Sequence, residues 1–120
     1  MKAYSYHDIP AEPAEGMEGA RIRWVIGENV GAPNFYTRII ELDPGASTAY
    51  HTHPWEHEVV VLEGQGAVRD ANGRAPLEPG TIVYVEPDEE HQFLNVGDTI
   101  LRFVCVIPNP SASQGLRHAS

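Results

Sequence analysis

The amino-acid sequence predicts an all-β protein, a sandwich or barrel built from short strands. Turn-forming residues recur at short intervals, as in Asp43-Pro44-Gly45, Ala71-Asn72-Gly73 and Glu78-Pro79-Gly80. The segments between these turns are short and β-prone, a spacing that is typical of sandwiches and barrels. No long window repeats its apolar residues with a period of roughly 3.6, so long helices are not expected.

The predicted strands follow one another along the chain, most of them separated by a turn. They cover residues 21–26, 35–42, 49–53, 58–62, 66–70, 81–84, 92–95 and 100–107. Together they define a barrel domain over residues 21–108. Residues 1–20 are rich in Glu, Ala, Pro and Gly and are interpreted as an irregular N-terminal arm, for which packing on a partner subunit is one interpretation. Residues 109–120 are polar and are expected to form a flexible C-terminal tail.

Length and charge exclude several classes of partner. The 120 residues are enough for one domain with its own core. The formal net charge is −9, so neither nucleic acid nor an anionic membrane surface is an expected partner. The apolar runs are too short to span a bilayer. The N-terminus lacks a signal-peptide pattern, and the single cysteine, Cys105, cannot form an internal disulfide, so a cytoplasmic location is expected.

Four histidines form the pattern that says most about function. His51, His53 and His57 lie within seven residues, and His91 follows a later turn. Residues i and i+2 of a strand share a face, so His51 and His53 are expected side by side, with Cα atoms roughly 6.6 Å apart. Pro54 helps to end that strand, and His57 opens the next one with its side chain directed inward. Because imidazole is the commonest protein ligand for transition metals, these four histidines are interpreted as metal ligands.

The two histidine runs resemble the two motifs of the cupin superfamily. The matching positions are Gly45, His51, His53, His57 and Gly64 in the first motif, and Gly80, Pro87, His91 and Asn95 in the second. The first motif matches in spacing throughout, and the second differs in the gap between its glycine and its proline. The resemblance implies a double-stranded β-helix, or jelly roll, which is usually a homodimer.

The third ligand position departs from most cupins, which have Glu there, whereas this chain has His57. The neighbouring Glu58 is the alternative ligand, but strand alternation puts it on the face opposite Val59 and Val61, so His57 is favoured. The chain thereby resembles the small four-histidine cupins, which implies manganese as the first expectation and iron as the second. Nickel, zinc and copper are also open, because imidazole suits several of these ions. Four neutral imidazoles leave the ion its full charge, which strengthens its Lewis acidity.

The last predicted strand places Cys105 near this site. Strand alternation directs Arg102 to solvent and Phe103, Cys105 and Ile107 inward. Two interpretations of Cys105 stay open: a small buried apolar residue, or a functional residue that shapes the pocket or is oxidised by peroxide. For Trp55 the alternatives are a wall of the site entrance or a brace for the turn, and the brace is preferred.

The leading functional hypothesis is a metal-dependent oxidoreductase, similar to a dioxygenase, that activates dioxygen or peroxide on a small organic substrate. One alternative is a non-redox isomerase or lyase that uses the metal as a Lewis acid and needs a general base, such as Tyr or Glu. Another is a metal-containing protein that binds a small molecule without turning it over. The sequence has no phosphate-binding loop, no dinucleotide-binding fingerprint and no Gly-x-Ser-x-Gly motif, which argues against those enzyme classes.

Overall fold

The computed structural model describes residues 1–111, and the fold there is all-β, as predicted. The strands are β1 (Glu12–Pro13), β2 (Ala20–Ile26), β3 (Phe35–Leu42), β4 (His57–Glu63), β5 (Gly66–Asp70), β6 (Gly73–Leu77), β7 (Ile82–Val85), β8 (Gln92–Asn95) and β9 (Leu101–Pro108). Two short 3₁₀ helices lie at Tyr6–Asp8 and Glu28–Val30.

The strands form two antiparallel sheets with the jelly-roll architecture that the sequence predicted. The larger sheet has the order β1-β2-β3-β9-β4-β7, and the smaller has the order β6-β5-β8. The core lies between them, where Phe93 of β8 stacks on Phe103 of β9 with ring centroids 4.8 Å apart. Phe103 has no exposed surface, and burying a side chain of this size contributes about 1.5–3 kcal/mol.

Strand β9 shows most clearly how alternation separates the inside from the outside. Phe103, Cys105 and Ile107 are buried on its inner face, as predicted. Arg102 lies on the outer face, as predicted, but its side chain is only 15% exposed, so it faces solvent much less than predicted. Its Nε donates to the carboxylate of Glu41, 2.7 Å away, on the outer face of the sheet, and its guanidinium lies 5.7 Å from the Tyr6 ring.

The segment at residues 49–53 does not form the predicted strand. It meets the chain near β8 through isolated bridges between Ser47 and Leu94 and between His51 and His91. Side chains interrupt the ladder between these bridges. The Phe93 amide donates to the hydroxyl of Thr48, and the carbonyl of Thr48 accepts from the side chain of Gln92.

Strand β6 was missed by sequence reasoning, because Gly73-Arg74-Ala75-Pro76-Leu77 has the composition of a loop. It lies at the edge of the smaller sheet, where a proline is tolerated because one side of the strand needs no ladder partner.

The N-terminal segment folds onto its own barrel. Strand β1 pairs with β2, and the guanidinium of Arg23 donates to the carbonyl of Ile9 at 2.7 Å. At the other end Asn109, which the sequence assigned to a flexible tail, is buried and donates to the carbonyl of Ala32 at 3.0 Å. The rest of that predicted tail, residues 112–120, lies outside the described residues. Within residues 1–111, no helix is long and apolar enough to cross a membrane.

Candidate metal centre

Three of the four predicted ligands lie close together at one end of the core. His51, His53 and His91 each offer a ring nitrogen, and these nitrogens lie within 4.8 Å of one another. The ring centroid of His51 is 4.3 Å from that of His53 and 5.1 Å from that of His91. The paired backbone bonds between residues 51 and 91 hold this arrangement, because each amide donates to the other residue's carbonyl.

His57 approaches the same point from the first position of β4. Its ring centroid lies 5.1 Å from those of both His53 and His91, and the residue is only 4% exposed. Its Nε2 is buried and has no hydrogen-bond partner among the described residues. Glu58, the alternative ligand, is exposed on the opposite face of β4. An unpartnered buried nitrogen beside three other imidazoles suits a bound cation.

Two of the histidines have partners that define which ring nitrogen faces the cluster. The Nδ1 of His91 lies 2.8 Å from the carbonyl oxygen of Glu89, which can only accept a hydrogen bond, so Nδ1 carries the proton. The Nδ1 of His57 lies 3.3 Å from the Sγ of Cys105. Both rings thereby keep Nε2 free, the arrangement that metal-binding histidines usually show.

Burial favours the neutral form of His51, His53 and His57. It is the main cause that lowers the pKa of His53 to about 4 and that of His57 to about 2. It also lowers the pKa of His51, and the charge of Arg38 acts in the same direction on all three. Because a metal ligand must be deprotonated, this donor set suits a divalent transition metal at neutral pH.

Trp55 contacts the site directly. Its ring stacks on that of His53 with centroids 4.7 Å apart and an interplanar angle of 6°. The interpretation that Trp55 only braces the turn is therefore incomplete, because its ring also contacts a predicted metal ligand. A flat stack restricts rotation of the His53 ring and shields one of its faces from water.

A cavity of about 170 Å³ opens against the histidines. Its lining is mostly apolar, with Ile40, Phe93 and Phe103 from the barrel and Met17 from the N-terminal segment. Cys105 lines it as well, at the position that strand alternation predicted. Sequence reasoning gave no reason to expect Met17 here, because its segment contains no pattern that relates it to the barrel.

Arg38 is the lining residue whose importance the sequence did not reveal. Its Nη2 donates to the Sγ of Cys105 at 3.0 Å, and its guanidinium lies 5.5 Å from the ring of Trp24. A usable signal was present, because Arg38 alternates with Tyr36 and Ile40 on a strand face that is otherwise apolar.

Residues 38–107 match the cupin domain family. The chain belongs to the cupin family. The match spans both histidine runs, so the superfamily predicted from them is confirmed. Cupins generally bind a divalent metal, and the histidine cluster is consistent with such a site.

The proteins that this cupin is similar to are named for different functions. An oxalate-binding protein from Thermotoga maritima is 33% identical over 69 residues, which are 57% of this chain and 57% of that protein. The (R)-mandelonitrile lyase of Granulicella tundricola is 38% identical over 53 residues, which are 43% of this chain and 40% of that enzyme. The polyketide cyclase RemF from Streptomyces resistomycificus has a TM-score of 0.84 at 30% identity, over 90% of this chain and 79% of that one. The chain spans about half the length of the curated relatives it matches.

Proposed function

We propose that this cupin is a metal-dependent oxidoreductase that activates dioxygen or peroxide on a small organic substrate. His51, His53, His57 and His91 would hold the ion, with manganese the first expectation and iron the second. The observation that carries the proposal is the convergence of four imidazoles on an apolar cavity. A redox-active ion held there would supply Lewis acidity and a one-electron couple.

The side chains around the cavity favour chemistry at the metal over proton transfer by the protein. An isomerase that works through an enediolate needs a general base close to the substrate. In the part of the chain that the structure describes, neither a carboxylate nor a tyrosine lines this cavity. The apolar side chains exclude water, and the histidines would hold and orient the ion.

A non-redox lyase or isomerase is the second candidate, supported by the similarity to the mandelonitrile lyase. A protein that binds a small molecule without turnover is the third, supported by the similarity to the oxalate-binding protein. The redox proposal differs from these two candidates because it alone requires an oxidant such as dioxygen. The redox proposal requires Mn or Fe and consumption of an oxidant, whereas Lewis-acid catalysis should survive zinc substitution under nitrogen.

The deciding experiment begins with elemental analysis of protein purified without added metal or a histidine tag. The protein is then stripped and reloaded with Mn, Fe or Zn. Oxygen consumption and product formation are followed with a panel of small organic acids and ketones. Substrate-dependent oxygen uptake with Mn or Fe, and none with Zn, supports the proposal. Turnover with Zn under nitrogen rejects it in favour of the lyase or isomerase, and metal-dependent binding without turnover favours the binding protein.

The choice between His57 and Glu58 as the fourth ligand needs its own test. We expect His57→Ala to lower the metal content and change the electron paramagnetic resonance spectrum of the manganese-loaded protein. Glu58→Gln is the matched control and should leave both unchanged. Retained metal and an unchanged spectrum in His57→Ala would instead make Glu58 the better candidate.

We also propose that the protein is a homodimer. The outer face of β4 and β7 carries large exposed apolar side chains, among them Val60, Ile82 and Tyr84. Val60 and Ile82 lie directly opposite each other, and neighbouring exposed apolar side chains of this size are common at interfaces between proteins. Light scattering coupled to size exclusion should give the mass of two chains, and Ile82→Lys should reduce it to that of one. A monomeric wild-type protein would contradict the proposal.

A further inference from the structure

Arg38 places a positive charge at the wall of an apolar cavity. It lies on the inner face of β3 between Tyr36 and Ile40, and it lines the cavity beside the four histidines. The ring of Trp24 lies against its guanidinium, and the sulfur of Cys105 accepts from its Nη2. These contacts define its position but give it no opposite charge.

Within residues 1–111, Arg38 has no carboxylate partner, in contrast to the arginines of the outer sheet face. Arg21, Arg23 and Arg102 all pair with Glu41, which is 2% exposed. The Nε of Arg38 is buried and has no hydrogen-bond acceptor among the residues that the structure describes. Arg38 as a whole is half-buried, so its charge is only partly solvated, and a buried donor without an acceptor is costly. Both deficits would disappear if an anion entered the cavity.

The cavity also limits the size and character of that anion. Its volume is about 170 Å³, and an apolar cavity of about 150 Å³ binds benzene, so it suits a ligand of about six to eight non-hydrogen atoms. Its apolar lining suits a short hydrocarbon body. Although the chain carries a net charge of −9, no carboxylate of the described residues lines this cavity. Among the described side chains that line the cavity, Arg38 is therefore the one that offers a ligand a full charge, apart from the metal that the histidines would hold.

We propose that the cavity binds a small organic carboxylate and that Arg38 is its charge partner. A guanidinium presents several N–H donors in a fixed plane, which matches the two oxygens of a carboxylate. The inference rests on the proposed function only in requiring that a ligand enters this cavity. It is independent of whether the reaction that follows is redox.

The test compares a carboxylate with a neutral molecule of the same shape. Isobutyrate and isobutyramide are titrated by calorimetry into zinc-loaded wild-type protein and into Arg38→Met. Because the metal is the same in both proteins, attraction of the carboxylate to the metal cancels in the comparison. We expect Arg38→Met to weaken isobutyrate binding by about tenfold or more and to change isobutyramide binding by less than about twofold.

The controls separate the role of Arg38 from changes in folding or overall charge. Arg21→Met removes one positive charge from the outer face and should leave isobutyrate binding within about twofold of wild type. Zinc content and the thermal midpoint are measured for every variant. If Arg38→Met does not fold, Arg38→Gln takes its place, because it keeps a polar side chain but removes the charge.

Either of two results would overturn the inference: equal isobutyrate affinity in wild type and Arg38→Met, or no preference of wild type for isobutyrate over isobutyramide. Selective loss of isobutyrate binding in a protein that never consumes oxygen would uphold the inference and remove the redox proposal. Oxygen uptake by a protein that does not show this selective loss would support the redox proposal and overturn the inference about Arg38.

Discussion

Burial of His57 should make the stability of the metal-free protein depend on pH. The imidazole has a pKa of 6.5 when unperturbed, and burial lowers it to about 2 in the folded protein. Below pH 6.5 the unfolded chain therefore binds a proton that the folded chain does not bind. The stabilising contribution is fully present above pH 6.5 and is lost as pH falls towards the folded pKa.

The magnitude follows from the same two values. A pH of 5 lies about 1.5 units below the pKa of the imidazole in the unfolded chain, and each unit corresponds to about 1.4 kcal/mol of unfolding free energy. Between pH 7 and pH 5, His57 should therefore lower the free energy of unfolding by about 2 kcal/mol. His57→Gln lacks this group, so the difference in its stability between the two pH values should be smaller than that of wild type by about that amount.

The assay is urea unfolding of metal-free protein at pH 7 and pH 5, with a chelator present throughout. Comparing each protein with itself at the two pH values removes the cost of the substitution itself. His7→Gln removes an exposed imidazole and is the matched control for the loss of one histidine. If His57→Gln loses as much stability as wild type on acidification, burial of His57 does not make folding depend on pH.

Three further substitutions test other contacts. Cys105→Val removes a sulfur that accepts a hydrogen bond from Arg38 and lies 3.3 Å from the Nδ1 of His57, a predicted ligand. It should weaken zinc binding about tenfold in chelator competition, whereas Cys105→Ser should stay near wild type. Gly64→Ala would place a Cβ 2.4 Å from a backbone carbonyl oxygen at φ +91°, so it should cost more than about 2 kcal/mol in denaturant unfolding. Gly31→Ala, with open space at φ +68°, should cost only about 1 kcal/mol, and equal losses would show that the close approach at Gly64 adds nothing. Glu41→Gln removes a buried carboxylate shared by three arginines and should cost about 3 kcal/mol, against less than about 1 kcal/mol for the exposed Glu63→Gln. A loss no larger than that of Glu63→Gln would show that the network contributes little.

The all-β fold and the closeness of His51, His53 and His57 could be predicted from the sequence, because both depend on local regularities. That His91 joins them was implied by the resemblance to cupins, since the bridge between His51 and His91 is long-range. Strand alternation and turn residues repeat over a few positions, so the inner face of β9 was predictable from Phe103 to Ile107. The spacing from His51 to His57 limits how far apart these rings can lie. The loss of the strand at residues 49–53 was not predictable, because it depends on the side chains of Thr48 and Gln92 replacing backbone hydrogen bonds.

Only the tertiary structure showed that Arg38 and Met17 join Cys105 around the histidines. Arg38 lies on β3, far from the histidine runs in sequence, and reaches the site because β3 pairs with β9, the strand that carries Cys105. Met17 joins the cavity only because the N-terminal segment folds over the barrel. Sequence patterns record which face of a strand a residue occupies, whereas the neighbours across a cavity depend on how the strands are ordered and paired. The ligand types are therefore present in the sequence, but the charge and shape of the cavity that receives a substrate arise from the packing of distant strands.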